Sequence, residues 1–128
     1  MNQVMNRSAK PSVEIDVEAF NAQLEGLDAE GRLLLAGHGS RAVTRLDPGS
    51  FVQDVLADRF DGRRFNSPND LAVHPDGSIY FTDPTWGLEG RPSALGFTGL
   101  YRLGPDGTVS LLADDLHQPN GVAFSPDL

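Results

Sequence analysis

The sequence predicts an all-β chain forming about two and a half blades of a β-propeller, and three observations carry that prediction. Short runs of β-branched and aromatic residues alternate with turn signals, in a chain whose 128 residues include 14 glycines and 9 prolines. No stretch after residue 30 keeps a helical period. Turns and strands also recur together. Gly31 and Gly77 lie 46 residues apart, Asn69 and Asn120 lie 51 apart, and the Leu-Ala-Asp ends at Asp58 and Asp114 lie 56 apart. A four-strand unit repeating at about 40–50 residues is the signature of a propeller blade.

Residues 1–25 read as a poorly defined leader and residues 26–128 as the partial propeller. In the leader, Pro11-Ser12 opens the one weak helical candidate, over residues 13–24. The first unit turns at Asp28-Ala29-Glu30-Gly31 and continues through strands at Leu33-Leu34-Leu35-Ala36, Ala42-Val43-Thr44-Arg45-Leu46 and Phe51-Val52. In the second unit the corner Ser67-Pro68-Asn69-Asp70 leads into Leu71-Ala72-Val73, and Pro75-Asp76-Gly77 turns the chain into Ser78-Ile79-Tyr80-Phe81-Thr82. An extra loop over 88–96 lengthens this repeat. Gly99-Leu100-Tyr101-Arg102-Leu103, the turn Pro105-Asp106-Gly107 and Thr108-Val109-Ser110-Leu111-Leu112 complete it. Val122-Ala123-Phe124, behind Pro119-Asn120-Gly121, starts a third unit as a further strand. A closed ring needs at least four blades, so the expectation is a portion of a longer protein or a truncated reading frame. Its open sheet edges invite self-association or assembly with another chain.

Composition narrows the function. Ten basic and eighteen acidic residues give a net charge of −8, which disfavours nucleic acid and anionic membrane as partners and is compatible with a cation site. With no cysteine, disulfides, thiolate metal sites and Cys nucleophiles are excluded. The first ten residues carry no apolar core of the kind an export signal or anchor needs, which predicts a cytoplasmic protein. His38-Gly39-Ser40 sets a nucleophile beside a base, but without a Gly-x-Ser-x-Gly elbow it does not read as a Ser-His hydrolase.

The stretches "NSPNDLAVHPDGSIYFTDPTWG" and "LYRLGPDGTVSLLADDLHQPNGVAFSPD" resemble the gluconolactonase/regucalcin (SMP-30/gluconolactonase/LRE-like) family of six-bladed propellers, and most of all its bacterial gluconolactonase branch. "GRLLLAGHGSRAVTRLDPGSFVQDVLADRFDGRRF" fits one blade earlier, so the likeness covers residues 27–127. Before the matching Leu27 strand, relatives carry an Asn-Gly corner where this chain has Gln23-Leu24-Glu25. The resemblance implies a calcium-dependent lactonase that opens sugar-acid lactones, with a divalent cation, most often calcium, on the propeller axis. It implies Asn120 and Asn69 as metal ligands, with Asn69 also facing the small-molecule lactone.

Calcium takes six to eight oxygen ligands, and Asn carbonyls serve well among them. The structural alternative is that each Asn merely caps its own turn. Asp83, Trp86 and His38 fall at or after strand ends, where relatives line the pocket mouth, and are the further candidates for substrate binding; Trp86 could stack on a sugar ring. The acidic ligands the family uses, a first-blade Glu and a later Asp that also serves as acid/base, match no position here. Glu14, Glu18 and Glu25 stand in no matching motif, and the Asp falls beyond Leu128. The chain is therefore expected to lack a catalytic residue and a complete site. A non-catalytic binding module of the same propeller pattern is the rival reading.

Overall fold

The computed structural model describes residues 3–5, 14–16 and 22–127. Two four-stranded antiparallel sheets dominate it. The first contains β3 (Ala22–Leu27), β4 (Leu33–Gly37), β5 (Ala42–Leu46) and β6 (Gln53–Ala57), in that order. A connection bearing the small hairpin β7 (Arg59–Phe60) and β8 (Arg63–Arg64) leads to the second sheet. That sheet contains β9 (Asp70–Val73), β10 (Ile79–Asp83), β11 (Gly99–Leu103) and β12 (Val109–Ala113), again paired in sequence order. The first strands of the two sheets, β3 and β9, contact each other. Two meanders joined along their first strands are two neighbouring propeller blades, as the repeat predicted. A separate short pair, β1 (Gln3–Met5) with β2 (Glu14–Asp16), completes the described strands.

The repeated turns share one geometry, which explains the repeated sequence. At 74–78, His74 N donates to Ser78 O at 2.8 Å and Gly77 N to His74 O at 2.9 Å, while Asp76 Oδ1 accepts from Ser78 N at 2.8 Å. At 104–108, Gly104 N reaches Thr108 O at 2.9 Å, and Asp106 Oδ1 accepts from Thr108 N at 3.0 Å. Gly77 and Gly107 have φ of 91° and 87°, a region that glycine enters without a Cβ penalty. Both turn aspartates thus serve to close their own turns.

The core is aromatic and lies between the blades. Leu71, Phe81 and Tyr101 occupy one cross-strand row on the buried face of the second sheet. Phe65, from the connection, meets Phe81 edge-on with centroids 5.1 Å apart and Tyr101 at 5.1 Å. Phe60 covers Tyr101 at 5.4 Å. Leu34, Ala36, Val43 and Ala57 bring the first blade into the same cluster.

Four expectations change. The described parts of the expected helix, residues 14–16 and 22–24, lie in the strands β2 and β3, because pairing with β1 and β4 outweighs the weak propensity of a short isolated helix. The rest of that stretch lies outside the described residues. β3 also crosses the boundary expected after residue 25. Phe51 is a turn residue with φ of 59°, donating to Asp47 O at 2.7 Å, and the strand starts two residues later. Val122-Ala123-Phe124 has no ladder partner among the described residues; Val122 N donates instead to Asp70 Oδ2 at 2.8 Å. Phe124 packs edge-on to Tyr80 and His74, at 5.0 and 5.2 Å, where a following blade would lay its first strand. No described helix is long and apolar enough to cross a membrane.

Candidate functional site

The Pro-Asn corners converge at one end of the strands. Pro68 limits the backbone before Asn69, whose own N–H donates to Thr82 O at 3.1 Å and so pins the corner to β10. Thr82 Oγ1 donates to Asn69 Oδ1 at 2.6 Å, which leaves the amide nitrogen facing away from the blade. Asn69 Nδ2 then donates to Asn120 Oδ1 at 2.5 Å. Two asparagines 51 residues apart therefore share a hydrogen bond, one buried and the other exposed. Gln118 fixes the second corner by exchanging bonds with Thr85, accepting from Thr85 N at 2.8 Å and donating to Thr85 Oγ1 at 2.6 Å.

The other candidates separate. Trp86 stands 53% exposed on a short 3-10 turn, Trp86–Leu88, at the same end. His38, half-buried, lies beside that turn, and its Nε2 is enclosed without a partner. Among the described residues no hydrogen bond joins it to Ser40. Asp83, expected at the pocket mouth, is wholly buried under the first corner. Its Oδ2 accepts from Asn66 N at 2.8 Å and its Oδ1 from Ser67 N at 2.7 Å. Burial pushes this carboxyl up to about 7, against the pull of those two bonds and of the Arg41 charge. Asp70, next in the corner, accepts from Val122 N through Oδ2 and so ties down the run that follows the second corner.

The sequence reading missed the residues that brace the corner. Arg41, 8% exposed, donates through Nε to Phe65 O at 2.7 Å and to Asn66 O at 3.1 Å. Asn66 Nδ2 donates to Phe97 O at 2.8 Å, and Asn66 Oδ1 accepts from Ser93 Oγ at 2.6 Å. Ser67 Oγ donates to Pro84 O and accepts from Gly87 N. The one available signal was position, since Asn66 and Ser67 directly precede the Pro-Asn pair.

Gly87 allows the Trp86 turn to close on the corner, because an added Cβ would lie 2.7 Å from both the His38 and the Ser67 Cβ. A Gly87→Ala change is expected to displace the turn at a cost of about 1–3 kcal/mol. Trp86 is the one tryptophan, so its fluorescence maximum reports the displacement directly. An unchanged spectrum and stability would refute the close contact.

The residues present do not fit a calcium shell. The Asn69 and Asn120 oxygens are neutral, both already accept a hydrogen bond, and fall well short of six to eight ligands. Among the described residues no group of three or more His, Asp or Glu could hold a metal ion. A groove of about 740 Å³ lies elsewhere, between the turns at 28–32, 74–77 and 104–107 at the far end of the strands; none of the candidate residues lines it.

Comparison with known proteins agrees with this geometry. The family model for the SMP-30/Gluconolactonase/LRE-like region matches residues 4–128. The gluconolactonase of Zymomonas mobilis is 41% identical over 102 residues, covering 77% of this chain and 29% of its own length. Lactonohydrolase oryL of Aspergillus oryzae is 34% identical over 105 residues, covering 76% of this chain and 23% of its own. A solved gluconolactonase from Xanthomonas campestris superposes with a TM-score of 0.77 at 43% identity, over 83% of this chain and 37% of that one. The chain thus spans less than a third of the two sequence relatives.

Proposed function

This chain belongs to the SMP-30/gluconolactonase/LRE-like family, and from that premise we propose that it supplies two blades, and one wall of the substrate mouth, of a lactonase acting on sugar-acid lactones. The observation that carries the reading is the Asn69–Asn120 contact at the strand ends, which joins two consecutive repeats at one point. Lactone hydrolysis adds water to the ester carbonyl carbon, breaks the bond to the ring oxygen and delivers a proton to that oxygen. Of these tasks, the described residues serve binding and orientation. The exposed Asn120 side chain offers an amide to a sugar hydroxyl or the lactone carbonyl, and the Trp86 face suits a pyranose ring.

The propeller domain is taken to begin with β3, at residues 22–128, with the residues before it as leader. Calcium is the proposed cation, held only when acidic ligands join Asn69 and Asn120 from outside the described residues. On this reading the chain alone lacks the acid/base. The unpaired Val122–Phe124 run favours one extension of the proposal: the open blade edge pairs with further blades, in the same or another polypeptide.

A graft tests the proposal. The matching segment of this chain replaces its counterpart in the Zymomonas gluconolactonase, and opening of D-glucono-1,5-lactone is followed with calcium present. The chimera is expected to hydrolyse the lactone, and Asn69→Ala or Asn120→Ala to lower kcat/KM by about 10–100-fold. A folded chimera indifferent to both substitutions would overturn the assignment, leaving the binding-module reading in its place.

A further inference from the structure

We infer that Arg41 and Asp83 are positioning residues for Asn69, two polar side chains from neighbouring blades that grip the backbone of residues 65–67 and thereby aim the corner that follows. The inference rests on the proposed role of Asn69 at the mouth. Arg41 follows β4 of the first blade, and Asp83 ends β10 of the second. The guanidinium takes the carbonyls of Phe65 and Asn66, while the two carboxyl oxygens take the N–H groups of Asn66 and Ser67. Four consecutive polar groups of a buried segment are thus satisfied by just two side chains, 8% and 0% exposed.

Their arrangement is not that of a simple ion pair. The two side chains form no salt bridge within 4.0 Å; the peptide run lies between them. Buried charge is costly unless compensated, and Arg41 carries the further cost of an Nη2 enclosed without a partner. Two other guanidiniums, Arg64 and Arg91, act on Arg41 and disfavour its charge. A neutral side chain would bury here more cheaply, so what the pair contributes is geometry: a fixed orientation for peptides 65–67. Ser67 and Pro68 carry that orientation directly to Asn69, since the proline ring locks its own φ and narrows the choice for Ser67. Asn69 in turn reaches Asn120 only if its amide leaves the corner in the observed direction.

The test uses the full 128-residue chain and needs no substrate. Side-chain amide resonances of Asn69 are assigned, and the cross-peak between its Nδ2 protons and Asn120 is recorded. Arg41→Lys keeps the charge but puts a methylene where Nε donates to both carbonyls; Asp83→Asn keeps the shape but can offer only one oxygen. In each variant the cross-peak is expected to vanish while backbone amides of β11 and β12 keep their shifts. Retention of the cross-peak in either folded variant overturns the inference. Because the variants come from different blades, one that fails to fold leaves the other to decide. Lactone hydrolysis is never read, so failure of the lactonase reading and failure of the brace remain distinguishable.

Discussion

Phe65→Ala is expected to lower the stability of the chain by about 3–5 kcal/mol, the largest effect of any single truncation considered. Phe65 is wholly buried and stands in the connection between blades rather than in either sheet. Its ring sits edge-on to Phe81 and tilted on Tyr101, with both centroids at 5.1 Å. Removing it opens a cavity that neither sheet can close without sliding past the other, and it forfeits two aromatic contacts as well. Urea titration should show a lower midpoint with an unchanged slope. Phe65→Leu, which refills most of the volume, should lose markedly less. A loss below about 1 kcal/mol for the alanine variant would mean that the blades do not pack through this residue.

The second large effect is a dependence of stability on pH that originates at Asp83. In the unfolded chain an aspartate titrates near pH 4; in the fold burial lifts this one to about 7. Between those values the folded chain keeps a proton that the unfolded chain has released. Its contribution is therefore complete below about pH 4 and lost as pH rises through 7, a change of about 4 kcal/mol in all. Asp28, Asp76 and Asp106 act oppositely. Their pKa values are lowered, Asp76 to about 2 by the Ser78 backbone bond, so what they contribute is lost as pH falls below 4. The two windows do not overlap. Asp83→Asn should abolish the decline between pH 4 and 8 while lowering stability at pH 5 by about 1–3 kcal/mol, because one backbone N–H loses its acceptor. Comparing the two chains cancels the three histidines they share. Parallel stability profiles would show that Asp83 does not carry this proton.

Local chemistry made much of the fold legible in advance. Pro75-Asp76-Gly77 and Pro105-Asp106-Gly107 announce their turns because glycine alone enters the required φ freely and the aspartate bonds two residues onward. The run at 99–103 reads as a strand because its buried residues, Gly99, Tyr101 and Leu103, alternate with half-buried ones. Phe51 misled because a bulky residue at positive φ looks, in sequence, like the start of a strand. Val122-Ala123-Phe124 carries strand composition, yet a strand needs a partner, and composition does not supply one.

In the site, the repetition of Pro-Asn disclosed the two asparagines. It could not disclose that Thr82 claims one carbonyl and turns that amide toward the other asparagine. The burial of Asp83 was hidden for the same reason. Its role depends on backbone N–H groups 16 and 17 residues away, and that of Arg41 on carbonyls 24 and 25 residues away, separations at which no local pattern operates.

Calcium titration of the purified 128-residue chain, with size and D-glucono-1,5-lactone opening recorded on the same fractions, tests the central claim most directly: these residues form part of a lactonase mouth but not a complete cation shell. The account predicts that monomeric fractions show no saturable calcium binding and open the lactone no faster than buffer. Saturable binding with calcium-dependent turnover in a monomeric fraction would contradict it, because the chain would then hold the whole site.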